Sequence, residues 1–436
     1  MVSRRRFLQA TAAAALIPRP GAVQAVSLDG ISAAATAASS QAVRGANDRV
    51  RLGVIGTGTR GTMVGGFFMK HPDCSVVAAC DVAKDRLDKA VAAFSAGGGK
   101  VDAYGDYRRI LERKDIDAVL VATPDHWHSP ITIEACAAGK DVYVEKPISN
   151  AIEPAQKMVA AARQHNRVVQ VGLQQRQGEH FKEAHKLIQD GLLGKITHVV
   201  MQFPGAYTQP PEPTQAPPAE LNWEMFQGPA ARHPYKPSRQ RRWRTYYDYG
   251  GGLVTDWGVH LVDVAHWYLN LDASAPKLTS ASAQYVNVEN PEHDQVPDAF
   301  TVSWQYDAVV MSFTNAVMPN SEFGLQGNYF YGPRGCLQVN RAGYQIRPSP
   351  PRRLPDGTLE KTASIEARVR RFEENYTNDP DTIAHARNFL DCVKSRQKPA
   401  GDIEIGFHSS LPCLLGILAI RQGRSFTWDG TKANPT

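Results

Sequence analysis

"RLGVIGTGTRG", residues 51–61, decides the fold. A short run of apolar side chains leads straight into Gly56-Thr57-Gly58-Thr59-Arg60-Gly61, a G-x-G-x-x-G pattern. Alone the pattern is weak. Here it closes a strand and opens a helix, which is the setting a dinucleotide grip needs. Gly56 permits the tight turn, Gly58 lets the backbone approach a pyrophosphate, and Gly61 lets the helix pack on the strand. The helix start, with Thr59 and Arg60, then faces phosphate charge. Asp81 ends the next strand, 25 residues after Gly56. Its carboxylate can accept hydrogen bonds from both adenosine ribose hydroxyls and repels a 2′-phosphate. NAD is therefore expected rather than NADP, with Lys84 and Arg86 nearby pulling the other way.

The same kind of run recurs on either side. "CSVVAACD" (74–81), "AVLVAT" (118–123), "DVYVEK" (141–146) and "RVVQVG" (167–172) read as strands buried on both faces. Helices are expected between them, over 60–70, 84–96, 129–138 and 153–165, the last with Pro154 near its start. This alternation predicts an α/β fold with a doubly wound parallel sheet, the Rossmann arrangement. After about Gly172 the pattern changes. A helix ("EHFKEAHKLIQDG", 179–191) and a strand ("KITHVVMQF", 195–203) precede a proline-rich loop, "PPEPTQAPPAE" (210–220). "DAFTVSWQYDAVVMSFTNAV" (298–317) has the two-residue period of antiparallel sheet. Helices are expected near 385–399 and 409–424. The expected organisation is a signal segment at 1–25, a leader at 26–49, a dinucleotide-binding domain at 50–172 and a second α/β domain at 173–436.

Ligands of such folds bind outside the carboxyl ends of the strands. "TPDHWHSP" (123–130) ends the fourth strand and places Thr123 and Pro124 there, followed by His126, Trp127 and His128 in a loop. Glu145-Lys146-Pro147 ends the fifth strand. Lys146 can hydrogen-bond a hydroxyl and stabilise alkoxide character as hydride leaves. In "DWGVH", Asp256 and His260 are four apart and share a face if helical. His260 suits general-base work on a hydroxyl, and Asp256 could orient it or contact substrate. "RRWR" (241–244) offers Trp243 as a platform for a sugar ring and Arg244 as a donor, and Arg176 just past the sixth strand offers the same. His126 or His128 could lie beside the nicotinamide or the substrate. No metal is expected. His260 and His266 are six apart and point roughly opposite ways on a helix, so Asp263 and His266 are assigned to structure.

The chain opens "MVSRRRFLQATAAAALIP". Arg4, Arg5 and Arg6 form a positive start, and Phe7–Ile17 an apolar stretch too short for the roughly 20 residues a bilayer span needs. Val23-Gln24-Ala25 fits a cleavage site, and "SRRRFLQ" resembles the twin-arginine export motif, which implies a periplasmic or secreted protein exported folded. No cysteine precedes Cys74, so no lipid anchor is expected. The formal charge is +6, but four arginines lie in the first 25 residues, leaving about +2. Nothing in that balance argues for nucleic acid. The six cysteines have no metal-type spacing and are expected as buried free thiols.

Taken in order, GTGTRG, CD, TPDHWH, EKP and DWGVH resemble the glucose–fructose oxidoreductase / inositol dehydrogenase / MocA family, over about residues 50–436. The resemblance implies catalytic positions for Lys146, Asp256 and His260, and a cis bond before Pro147. It also implies an open antiparallel sheet in the second domain, packed against another subunit in a dimer or tetramer. The expected activity is NAD-dependent hydride transfer to or from a sugar or polyol hydroxyl. Two readings compete: a glycoside lyase or hydrolase that uses NAD only transiently, and a non-catalytic sugar-binding protein. NAD-dependent glycosidases of this fold lack the EKP lysine, so Lys146 weighs against the first. Export suggests a tightly held cofactor, with the leader at 26–47 as a candidate cover and a redox-neutral net reaction.

Overall fold

The computed structural model describes residues 49–436 except 208–211, 287–291, 317–325, 351–352, 354, 359–367 and 372–378. The expectations for the signal and the leader lie outside the described residues.

Six strands form a parallel sheet: β1 (Val50–Ile55), β2 (Cys74–Cys80), β3 (Asp102–Tyr104), β4 (Ala118–Val121), β5 (Asp141–Val144) and β6 (Val169–Val171). Their order is β3-β2-β1-β4-β5-β6, the doubly wound arrangement. All four residues of β4 and of β5 are buried, because helices cover both faces. Val119, Val121 and Val142 pack with Ile131 and Met158 on one side. Leu120 and Tyr143 pack with Phe68 and Phe389 on the other. Phe389 belongs to the helix Pro380–Ser395, so a helix from the 173–436 stretch is built onto the first sheet. Its ring lies 5.8 Å from Phe68 and 5.9 Å from Tyr143, and the Gln170 amide donates to His385 O at 2.8 Å.

The second sheet has ten strands: β7 (His198–Gln202), β8 (Leu278–Gln284), β9 (Ala299–Gln305), β10 (Val310–Thr314), β11 (Gly327–Gly332), β12 (Gly335–Asn340), β13 (Gly343–Pro348), β14 (Arg368–Arg371), β15 (Phe426–Trp428) and β16 (Ala433–Pro435). The order is β14-β13-β12-β11-β7-β10-β9-β8-β15-β16, antiparallel apart from the β7–β10 pair. Strand β9 alternates as expected: Phe300, Val302 and Trp304 point into the core and Thr301 and Gln305 outward. The inner face packs on the helices Gly258–Tyr268 and Ile403–Gln422, and Trp304 Nε1 donates to Pro412 O at 2.8 Å. The helix Ile403–Gln422 is long and apolar enough to cross a membrane, but it is a core helix here. A Cβ on its Gly406 would meet Val171 of the first sheet at 2.3 Å, and one on Gly416 would meet Val302 of the second at 2.9 Å. All six cysteines are free, and all but Cys336 are buried.

Candidate active site

A cavity of about 900 Å³ opens where the first sheet reverses its order, between β1 and β4. Gly56 has φ +86°, and a Cβ there would lie 2.7 Å from Ala122 C and Thr123 N. Only glycine lets these strand ends close on each other. A Cβ on Gly61 would lie 1.9 Å from Gly56 O, so the helix Thr59–Met69 seats on the turn only with glycine there. Gly58 is different. The nearest atom to an added Cβ is Arg86 Nη1 at 3.9 Å, so this position is open to the cavity. The helix has no side-chain cap and no acidic residue in its first turn, which leaves its leading N–H groups for an anion. Arg60 Nε donates to Glu145 Oε1 at 2.8 Å and ties the turn to the end of β5, while Arg60 Nη2 is buried without an acceptor. These features fit a dinucleotide pyrophosphate.

Asp81 is fixed by its own loop. Its Oδ2 accepts from Thr57 N at 2.7 Å and Thr57 Oγ1 at 3.2 Å, and its Oδ1 from Ala83 N at 2.9 Å. Oδ1 is the freer oxygen for a ribose hydroxyl. The segment after the proline-rich loop covers this end of the cavity. Lys84 N donates to Glu220 O and Asn222 N to Val82 O, both at 2.9 Å, around an Ala83–Leu221 bridge. A few residues on, Trp127 Nε1 donates to Phe226 O at 3.0 Å, and His126 Nε2 lies 3.0 Å from the same oxygen. Residues 220–226 thus strap the loop after β2 to the helix after β4.

At the other end Lys146 donates to Asp256 Oδ1 at 2.6 Å and Asp256 O at 2.7 Å, and the Lys146–Pro147 bond is cis. Arg244 Nε lies 3.1 Å from Asp256 Oδ1, and the Tyr207 hydroxyl donates to Oδ2. Burial alone would raise the Asp256 carboxyl, but Arg244 and Lys146 together hold it well below the usual carboxylate range. His260 is 4% exposed. Burial, then the charges of Lys146 and Arg341, keep its imidazole well below its ordinary value, so the ring is neutral. Its Nδ1 is buried without a partner and its Nε2 lies 3.5 Å from Arg341 Nη2. The tautomer with a proton on Nδ1 and a lone pair on Nε2 satisfies that contact.

Most of the expected residues border this one cavity: Thr59, Thr123, Pro124, Trp127, His128 and Trp243 join those already described. Four expectations need correction. His126 and His128 lie not in a loop but in the first turn of the helix Asp125–Ala137, which begins four residues before Ser129 and carries Pro130 inside it. His126 is off the cavity wall, buried among Tyr249, Phe226 and Trp127, with its ring held down to about 4 by burial. His128 borders the cavity but is spanned, Nδ1 to Pro147 O at 2.6 Å and Nε2 to Thr123 O at 2.8 Å, so it braces two strand ends. Arg176 is also away from the cavity. It is buried in an ion network with Asp263 and Asp272, which satisfies its guanidinium. Asp263, ion-paired with Arg176, and His266, 2.7 Å from Tyr306 Oη, also lie off the cavity wall. Arg244 lies 4.2 Å over the Trp243 ring, so one face of that platform carries the guanidinium.

Asp125, Tyr207 and Arg341 also border or brace the site and were not singled out from sequence. Asp125 was legible as the acid of "TPDHWH"; Tyr207 and Arg341 reach Asp256 and His260 from remote segments that carry no local signal.

Fold and site together define a protein of the NAD-binding Rossmann class. Residues 50–173 match the description "Oxidoreductase family, NAD-binding Rossmann fold", and residues 181–337 match "GFO/IDH/MocA C-terminal domain". The chain belongs to this family. A "Glycosyl hydrolase family 109 protein 2" of Shewanella sp. (strain ANA-3) is 30% identical over 243 residues, 54% of this chain and 48% of that protein. An inositol 2-dehydrogenase of Klebsiella pneumoniae (strain 342) is 33% identical over 147 residues, 33% of this chain and 43% of that one. The chain therefore spans about half or less of the length of these relatives. The WlbA dehydrogenase of Bordetella pertussis, solved with NADH and UDP-GlcNAcA, superposes with a TM-score of 0.62 at 18% identity, over 87% of this chain and 99% of that one. That likeness bears on the fold.

Proposed function

We propose that this chain is an exported, NAD-dependent oxidoreductase that moves a hydride to or from a hydroxyl-bearing carbon of a sugar or polyol. The observation that carries the reading is the Lys146–Asp256 pair set beside neutral His260 in the cavity that begins at the glycine-rich turn. A bound nicotinamide dinucleotide would supply the hydride acceptor or donor. Gly56, Gly58, Gly61 and Arg60 would hold its pyrophosphate and Asp81 its ribose. Lys146 spends two of its three N–H groups on Asp256. The third can reach a substrate hydroxyl and stabilise charge developing on that oxygen. His260 would accept the hydroxyl proton at Nε2 once substrate takes the place of the long 3.5 Å Arg341 contact. Asp256 stays ionised, holding Lys146 and Arg244 in place.

The names of the inositol dehydrogenase and of the UDP-GlcNAcA complex support a polyhydroxylated substrate. The glycosyl hydrolase name favours the second reading, in which oxidation is transient and elimination follows. "SRRRFLQ" supports export in the folded state, and the strap over 220–226 supports slow release of a cofactor carried along. Asp81 favours NAD over NADP. Self-association through the second sheet is supported by an outward row of Val310, His198 and Tyr331 on three adjacent strands, all exposed.

The test is a mass-spectrometric screen of sugars, polyols and glycosides against the purified protein, with and without added NAD. An oxidised product with matching NADH formation supports net oxidation. A cleaved glycoside with no NADH accumulation supports the transient cycle. Binding without conversion of any compound would leave a sugar-binding protein and refute the proposal.

A further inference from the structure

We infer that Asp125 is a substrate-contacting residue, its carboxyl taking part in a hydrogen bond with a hydroxyl of the sugar or polyol; this rests on the function proposed above. The reasoning is an account of hydrogen bonds. Asp256 is the carboxylate that the sequence pattern offers for holding substrate hydroxyls. In the fold its Oδ1 already takes Lys146 and Arg244, and its Oδ2 takes Tyr207. It has little capacity left for a ligand. Asp125 is its opposite. It is 3% exposed and borders the same cavity. Among the described residues its carboxyl has no hydrogen-bond partner, and its oxygens keep some exposure on the cavity side. A carboxyl that meets the cavity from an otherwise buried residue, with no protein partner, is free to bond a ligand group there.

Its surroundings suit that task. A Cβ on Gly250 would lie 3.2 Å from Asp125 Oδ2 and 2.9 Å from the Trp243 ring, so glycine keeps this wall thin. The charges that act on the carboxyl come from Arg244, Asp256, Lys146 and Glu145. Burial raises it above the usual carboxylate range, with Arg244 opposing and Asp256 reinforcing, and a carboxyl that holds its proton can both donate and accept. Asp125 thus complements Lys146: the lysine meets the reacting oxygen, and Asp125 meets another hydroxyl of the same molecule.

The experiment compares full-length wild type, Asp125→Ala and Asp125→Asn, all with NAD. Kinetics use whichever of D-glucose, D-xylose and myo-inositol the wild type converts fastest. NADH affinity is read by fluorescence and folding by thermal melt. Asp125→Ala is expected to raise KM for that substrate on the order of 10- to 100-fold, the cost of leaving one buried polar contact unmade. NADH affinity and melting temperature should stay near wild type. Asp125→Asn keeps a donor and an acceptor in place and should recover most of the loss. An unchanged KM in both variants overturns the inference, as does loss of NADH binding or of folding in Asp125→Asn, which would make the carboxyl structural. Failure of the wild type on all three compounds would overturn the proposed function and this inference with it.

Discussion

Lys146→Ala removes a cation that makes two hydrogen bonds to one residue, at 2.6 Å to Asp256 Oδ1 and 2.7 Å to Asp256 O. Both side chains are 11% exposed, so the pair is poorly screened. Unit charges 4 Å apart attract by about 4 kcal/mol at an effective dielectric near 20. Asp256 is not abandoned, because Arg244 Nε stays 3.1 Å away and Tyr207 still donates. The stability loss should therefore fall below the roughly 3–5 kcal/mol seen when a buried charge loses its partner, at about 1–2 kcal/mol. The chemical loss should be larger, about 100- to 1,000-fold in kcat, as for removal of one preorganised electrostatic contact. NADH binding should survive, since Gly58, Arg60 and Asp81 hold the other parts of the cofactor. A fluorescence titration with NADH, a thermal melt and a turnover assay on the same preparation separate the three effects. Turnover close to wild type would refute the role of Lys146, and loss of NADH binding would refute the division of labour along the cavity.

Other expectations follow from neighbouring observations. Gly58→Ala should leave the melting temperature unchanged, because an added Cβ meets only Arg86 at 3.9 Å, yet weaken NADH binding about tenfold or more by filling the phosphate cradle. Gly61→Ala, with its Cβ 1.9 Å from Gly56 O, should lower the melting temperature markedly; equal behaviour of the two variants would contradict the geometry. His126, His180 and His385 are each held down to about 4, first by burial, against an ordinary 6.5. The folded chain then binds fewer protons than the unfolded chain between those values. The stability these histidines contribute is full above pH 6.5 and falls as pH drops toward 4, by up to about 1.4 kcal/mol per pH unit for each group. An NMR titration of the imidazole signals should find these rings still neutral at pH 5, and ordinary titration near 6.5 would refute their burial. Replacing Arg4 and Arg5 together by lysine should retain the protein in the cytoplasm of a bacterial host, read by cell fractionation; unimpaired export would remove the twin-arginine reading.

The features legible in sequence are those whose cause is local. Gly56 and Gly61 could be assigned roles because a turn and a close helix approach leave no room for a side chain. The β4 and β5 runs read as strands because two covered faces require continuous apolar sequence. The antiparallel sheet announced itself through the period of β9 and β10. What failed to show was pairing between distant residues. Arg176 looked like a substrate donor because nothing in the sequence places it against Asp263 and Asp272. His126 looked available because its acceptor, Phe226 O, lies 100 residues on. The helix expected from Ser129 begins earlier, because Asp125 in the first turn and the bond from Trp127 N to Pro124 O start it four residues before. Tyr207 follows the same rule: its contact with Asp256 spans 49 residues.

Hydride transfer itself is the central claim, and deuterium labelling tests it most directly. The purified protein is incubated with NAD and, in turn, carbon-deuterated glucose, xylose, myo-inositol and N-acetylglucosaminides, and the nicotinamide is then analysed by mass spectrometry. With enzyme and NAD in excess over substrate and rapid quenching, the label is caught on the reduced cofactor before the deuteride returns, so a transient oxidation registers as well as a net one. Deuterium on the nicotinamide with at least one compound, formed about 100-fold or more slowly in Lys146→Ala, is the result expected. A wild-type protein that binds NAD yet moves no deuterium from any of them would contradict the claim.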